Sequence, residues 1–211
     1  MSTNRLPDSF FDSMYTESKD PWQLAERWYE RRKYAITMAM LPAARYRHAF
    51  EPGCSVGVLT EYLTARCDRV TATDVAAAAL EAADTRLRNS GLRDAVTLER
   101  SSIDLPWPDG GFDLVVLSEV GYYLTGPTLR GVLDRECPRL APGATVVAAH
   151  WRHPVAEYPL SGDEANDIVA ATEGLFRIAS YRDEDMGIDV FDTASATSVA
   201  ARSGVPGAVT R

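Results

Sequence analysis

Short apolar runs alternate with stretches of helical period along this chain, and that alternation predicts its architecture. Tyr46–Glu51 reads as a first strand, after which Val58, Leu59, Tyr62 and Leu63 share one face of a helix. Arg69–Asp74 reads as a second strand, and an Ala-rich helix follows over Ala76–Asn89, closed by Ser90-Gly91. Ala95–Arg100 is a third strand. Phe112–Ser118 is the most apolar run, the mark of a central strand covered on both faces. Thr128–Leu140 is helical until Pro138 ends or kinks it, and Ala144–Ala149 is a fifth strand after the Ala141-Pro142-Gly143 turn. Ser161 and Glu164 form a capping box that opens a helix to about Glu173. Strands over Leu175–Arg182 and Ile188–Asp192 are separated by too few residues for a crossover, so they predict an antiparallel edge hairpin. The whole reads as an α/β, doubly wound, mostly parallel seven-stranded sheet with ligands at the strands' carboxyl ends.

The flanks are less patterned. Residues 1–19 show no period and are expected to be mobile. Asp20-Pro21 is a helix start, an acid at the N-cap and proline at the first helical position, so one helix is expected from Trp22 to Met40. It carries Arg27, Arg31, Arg32 and Lys33 interleaved with Trp22, Trp28, Tyr29 and Tyr34. That is either a solvated face or a helical lid, over residues 20–41, that closes the site. Beyond Asp192 the pattern is lost, and residues 193–211 are expected to form a tail without fixed structure. One domain over residues 1–192 remains, with its core over 46–192.

Composition narrows the function classes. Lys and Arg total 22 against 30 Asp and Glu, a net charge of −8, which opposes a grip on nucleic-acid phosphates. No apolar run reaches the roughly 20 residues of a membrane span, and the first residues lack the apolar core of a signal peptide. The three cysteines, Cys54, Cys67 and Cys137, have no paired spacing, so a reduced, cytoplasmic protein is expected. Cys54 lacks a basic neighbour in sequence and reads as a small turn residue. Oligomeric state is left open.

Four strand ends line one rim: Glu51, Asp74, the Ser101-Ser102-Ile103 turn, and Ser118-Glu119. The turn after the first strand is Glu51-Pro-Gly53-Cys-Ser55-Val-Gly57, an acid followed by small residues. Glycines let a backbone approach a ligand closely, and Asp74, one strand-helix-strand unit on, can accept both hydroxyls of a ribose. A dinucleotide fingerprint would need glycine at Ser55 and Val58, and an acid at the strand end repels a pyrophosphate. The acid suits a ligand bearing an ammonium and a sulfonium.

These motifs resemble the class I S-adenosylmethionine-dependent methyltransferases over about Tyr46–Asp192. Glu51–Gly57 is similar to their first motif and Thr73-Asp74 to the ribose-binding second. Leu105-Pro-Trp107-Pro-Asp-Gly-Gly-Phe112-Asp-Leu-Val is similar to their run into the fourth strand, and Leu140-Ala-Pro-Gly143 to the turn before the fifth. Asp20-Pro21-Trp22, Tyr29-Glu30-Arg31 and Ser118-Glu119-Val-Gly-Tyr122-Tyr123 resemble the nodulation protein S group, N-methyltransferases of deacetylated chitooligosaccharides. The resemblance implies a Rossmann-like methyltransferase fold and no metal. It implies that Glu51, Gly53, Cys54, Gly57, Asp74, Val75, Ser101, Ser102, Ile103 and Ser118 hold S-adenosylmethionine, with Trp22 or Arg31 closing over it. Glu119, Tyr122, Tyr123, His150 and His153 are the expected contacts of a small-molecule acceptor. Among them Glu119, Tyr122 and His150 are candidates for catalysis, Glu119 by pairing an incoming ammonium and taking its proton. O-methylation of a small metabolite, a nicotinamide oxidoreductase, and a cofactor-binding module without catalysis are the competing readings.

Overall fold

The computed structural model describes residues 5–208. The expectations for the extreme ends of the leading segment and of the tail, residues 1–4 and 209–211, fall outside the described residues. Seven strands form one sheet: β1 (Tyr46–Pro52), β2 (Cys67–Asp74), β3 (Val96–Arg100), β4 (Leu114–Ser118), β5 (Thr145–Trp151), β6 (Phe176–Arg182) and β7 (Met186–Asp192). Their spatial order is β3-β2-β1-β4-β5-β7-β6, with β7 antiparallel to both β5 and β6 and the other pairs parallel. The order reverses between β1 and β4, so the crevice of a doubly wound sheet opens at the carboxyl ends of these two strands.

The pleat explains why the central strands read as unbroken apolar runs. Leu114 and Val116 of β4 enter the core on one face of the sheet, and Val115 and Leu117 enter the core on the other. The first face is covered by helices α2 (Trp28–Met40), α3 (Val58–Thr64) and α4 (Ala77–Asn89) through Tyr34, Leu63 and Leu87. The second is covered by α5 (Gly126–Glu136) and α6 (Gly162–Ala170) through Leu129, Leu133 and Val169. The capping box is present: Ser161 Oγ accepts from Glu164 N, and Glu164 Oε2 accepts from Ser161 N at 2.8 Å. Pro138 ends α5 in a single turn of 3-10 helix, Cys137–Arg139.

Three expectations about the flanks are corrected. Asp8–Glu17, within the segment expected to be mobile, is helix α1. Phe11 and Tyr15 stand one turn apart and both pack into the core, an i,i+4 apolar pair too short to register as a period. The single helix expected over Trp22–Met40 is instead two pieces. Asp20 does cap a turn, its carboxylate accepting from Leu24 N at 3.0 Å and Ala25 N at 3.1 Å. The left-handed backbone at Gln23, φ +56°, breaks the run, and the long helix begins only at Trp28. Residues 193–208, expected to lack structure, carry the short helix α7 (Val199–Arg202), whose Arg202 binds the buried Asp192 at 2.7 Å.

Candidate active site

The turn after β1 is built from residues in the left-handed region. Gly53 has φ +72° and Gly57 +77°, and a Cβ on Gly53 would lie 2.3 Å from Val120 Cγ1. Ser55 takes φ +50°, a conformation that favours glycine. Its strain is offset by two contacts: Ser55 N donates to Asp74 Oδ2 at 2.9 Å, and its hydroxyl shares a hydrogen bond with Tyr15 Oη at 2.5 Å. Helix α1, unforeseen from the sequence, is thereby fastened onto the turn.

Beside the turn lies a cavity of about 320 Å³. One end is walled by Glu51, Gly53, Cys54, Asp74, Val75, Ser101, Ser102 and Ile103, with Trp22 and Ser118 also on the wall. The other end is walled by Glu119, Tyr122 and Tyr123, with Tyr29, Lys33, Trp151 and Tyr158. Leu6 N donates to Tyr123 O at 3.0 Å and Arg5 pairs with Asp104 at 3.2 Å, so the segment before α1 straps over the cavity.

The two acids beside the turn, Glu51 and Asp74, are buried. Burial pushes the Glu51 carboxyl up to about 8, against a hydrogen bond from the Thr60 hydroxyl at 2.7 Å; Asp74 nearby adds to the rise. Burial also raises Asp74, opposed by backbone N–H donors, among them Ala76 N at 2.9 Å. Each Asp74 oxygen keeps a free lone pair for further donors.

At the opposite end Glu119 departs from the expectation of a free base. Its backbone sits at φ +58°, a strained value for a non-glycine residue that aims the carboxyl at three donors. Oε1 accepts from Lys33 Nζ at 2.7 Å, and Oε2 accepts from Tyr122 Oη at 2.5 Å and from Trp151 N at 2.9 Å. Burial would raise its pKa, but Lys33 and then His150 outweigh it and hold Glu119 below the usual carboxylate range. A carboxylate so occupied anchors the Tyr122 hydroxyl.

Four other expected site residues are placed away from the cavity wall. Arg31 is exposed and lies over the Trp28 ring, 6.0 Å from its centroid. Gly57 faces α4, where an added Cβ would lie 3.0 Å from Ala83 Cβ, so it shapes the turn and opens α3. His150 is buried behind the wall, its Nε2 accepting from Gly121 N at 3.0 Å, and burial lowers its pKa. His153 pairs with Asp185 at 2.8 Å on the surface. Neither ring reaches the pocket: His150 is on β5 and His153 lies past its end. Conversely, Lys33, Tyr15 and Arg27 line the cavity and were not singled out as site residues. Arg27 is exposed at the mouth with its guanidinium hydrogen-bonded to the Gln23 side chain at 3.3 Å. No group of three His, Cys, Asp or Glu side chains among the described residues is arranged to hold a metal.

The fold is that of the class I, Rossmann-like S-adenosylmethionine-dependent methyltransferases. Within that class it belongs to the nodulation protein S family, whose profile, Nodulation protein S (NodS), matches residues 13–187. Nodulation protein S of Bradyrhizobium diazoefficiens is 31% identical over 140 residues, which are 65% of this chain and 66% of that protein. The chain thus spans slightly under two thirds of that relative. A solved Pseudomonas syringae protein described as a methyltransferase is 36% identical with a TM-score of 0.68, over 79% of this chain and 99% of that one. The N-methyltransferase NodS from Bradyrhizobium japonicum WM9, in complex with S-adenosyl-L-homocysteine, superposes with a TM-score of 0.76 over 88% of this chain and 97% of that one; at 24% identity the likeness speaks to the fold.

Proposed function

We propose that this protein transfers a methyl group from S-adenosylmethionine to the nitrogen of a small amine, such as the free amine of a deacetylated amino sugar. The observation that carries the reading is the pair of buried acids at adjacent strand ends, Glu51 and Asp74, flanking the left-handed Gly53 turn. The residues fit the cofactor: Glu51 is pushed toward neutrality until a cation arrives, Asp74 keeps lone pairs for two hydroxyls, and Val75 and Ile103 offer apolar walls for a flat base.

When bound, S-adenosylmethionine supplies a methyl carbon already activated by a sulfonium. The chain's work is then alignment and exclusion of water. The Tyr122 hydroxyl donates its hydrogen bond to Glu119, which leaves its oxygen as an acceptor for an N–H of the amine. Lys33 holds Glu119 ionised; the amine must react in its neutral form, and the ammonium formed as the carbon–sulfur bond breaks gives one proton to water. Tyr29, Trp151 and Tyr158 wall this end with aromatic rings. A cytoplasmic setting fits three free, buried cysteines, and no helix among the described residues is long and apolar enough to cross a membrane.

Calorimetry tests the cofactor: S-adenosylhomocysteine should bind and NADH should not, and the reverse result would overturn the reading. Transfer of label from methyl-labelled cofactor to a panel of amines, amino sugars and phenols tests the acceptor, and labelled phenols with unlabelled amines would move it to oxygen.

A further inference from the structure

Behind the cavity wall, a line of buried hydrogen bonds runs from the site to the antiparallel strand β7. Gly121 N donates to His150 Nε2 at 3.0 Å, His150 Nδ1 lies 2.6 Å from Asn166 Oδ1, and Asn166 Nδ2 donates to Asp189 Oδ2 at 3.0 Å. His150, Asn166 and Asp189, on β5, α6 and β7, are each 1% exposed.

The direction of every link is forced. A backbone N–H can only donate, so Nε2 is bare and the ring proton sits on Nδ1. Nδ1–H then donates to the Asn166 carbonyl oxygen, which turns the amide nitrogen toward the Asp189 carboxyl. Reversing any link would set two donors or two acceptors face to face in a buried site. Asp189 is in turn flanked by Arg177 Nε at 3.5 Å and an Arg182 nitrogen at 3.6 Å. The imidazole packs directly on Gly121, where an added Cβ would lie 2.9 Å from Nε2.

Gly121 begins the single helical turn Gly121–Tyr123, which carries Tyr122 to Glu119. We propose that Asp189, Asn166 and His150 form a positioning relay that fixes this turn and so aims the Tyr122 hydroxyl. None of the three lines the cavity, so they act through Gly121 rather than on a ligand. The inference rests on the proposed function only in taking Tyr122 as an acceptor contact. It accounts for why a histidine that sequence spacing placed at the rim is buried one layer behind it.

Long-range proton–nitrogen NMR of the ring nitrogens, on protein saturated with S-adenosylhomocysteine, reads the relay directly. The wild-type chain should show His150 protonated at Nδ1 only. Asp189→Asn keeps the shape but no longer enforces the orientation. It should leave the proton on Nδ1, which Gly121 N–H still requires, but loosen the line and speed hydrogen exchange at Gly121 by about tenfold, the loss of one hydrogen bond, with affinity for S-adenosylhomocysteine unchanged. A wild-type proton on Nε2, or unchanged Gly121 exchange in Asp189→Asn, would overturn the relay. His150→Gln offers an amide oxygen to Gly121 and should restore the protection that His150→Leu loses; equal loss in both would reduce His150 to packing and overturn the proposal. If the wild-type chain failed to bind S-adenosylhomocysteine, the cofactor reading would fall, and the same spectra on the free protein would still decide the relay.

Discussion

Lys33 Nζ lies 2.7 Å from Glu119 Oε1, joining helix α2 to the end of the central strand through a buried ion pair. The ammonium is 2.8 Å from Glu30 Oε2 as well, and it sits over the rings of Tyr29 and Tyr34 at 5.5 and 5.3 Å from their centroids. Burial alone would lower the Lys33 pKa; Glu119 and Glu30 more than offset it, so the group stays charged. Lys33→Met would leave two carboxylates facing an apolar side chain, and a loss of about 3–5 kcal/mol in unfolding free energy is expected. Adding Glu119→Gln should recover part of that loss, because one uncompensated charge is then gone. Urea unfolding of the single and double variants checks this, and a double variant less stable than the single one would deny the pairing.

Glu51 ties cofactor binding to pH. Its carboxyl in the empty site is raised to about 8, whereas an unfolded glutamate ionises near 4.5. The folded protein therefore binds more protons than the unfolded chain over that window, and the empty form should lose stability as pH rises from about 4.5 to 8. A ligand bearing an ammonium favours the ionised carboxylate, so binding below pH 8 should release a proton, and affinity should rise with pH by at most about tenfold per unit. Calorimetry with S-adenosylhomocysteine at pH 6.5, in buffers of different ionisation enthalpy, measures the proton count. A count of zero would show that Glu51 does not meet the amino group.

The sheet was legible because its strands obey one rule, an apolar run ending in an acid or a small-residue turn. Glu51, Asp74 and Ser118-Glu119 all come to one rim for that reason. What the sequence hid are the interactions between segments far apart in the chain. Lys33 read as one of four cations on a solvated face or a lid, and its distance to Glu119, 86 positions away, makes it a wall residue. Tyr15 meets Ser55 across 40 positions from a helix too short to show a period. His150 illustrates the opposite limit: its place at a strand end was readable, but which way the ring turned depended on Gly121 and Asn166.

Arg27 takes the place expected for Arg31. Among the described residues, the other cations on the cavity wall are already paired with acids, Arg5 with Asp8 and Asp104 and Lys33 with Glu30 and Glu119. Arg27 has only the neutral Gln23 side chain, which leaves its guanidinium for a ligand carboxylate. Since it is exposed, Arg27→Ala should weaken S-adenosylhomocysteine by only about 0.5–1 kcal/mol, two- to fivefold. Arg31→Ala, away from the wall, should change affinity by less than that. A larger effect at Arg31 would restore it as the residue that closes the site.

Two of the turn's three left-handed positions, Gly53 and Ser55, should respond in opposite ways to a change in side-chain size. At Gly53 the backbone, φ +72°, disfavours any side chain, and a new Cβ would meet Val120 Cγ1 at 2.3 Å. Gly53→Ala combines a left-handed cost of about 1–2 kcal/mol with a push on Val120, which directly follows Glu119. It should therefore lower both stability and cofactor affinity. Ser55→Gly relieves a similar strain at φ +50° but removes the hydroxyl that meets Tyr15. Loss of that hydrogen bond costs about 0.5–1.5 kcal/mol, so the net change in stability should lie near zero. Tyr15→Phe removes the same bond without relieving the strain and should cost the full amount. Thermal unfolding of the three variants orders them, and a Ser55→Gly protein as unstable as Tyr15→Phe would mean that the serine carries no strain.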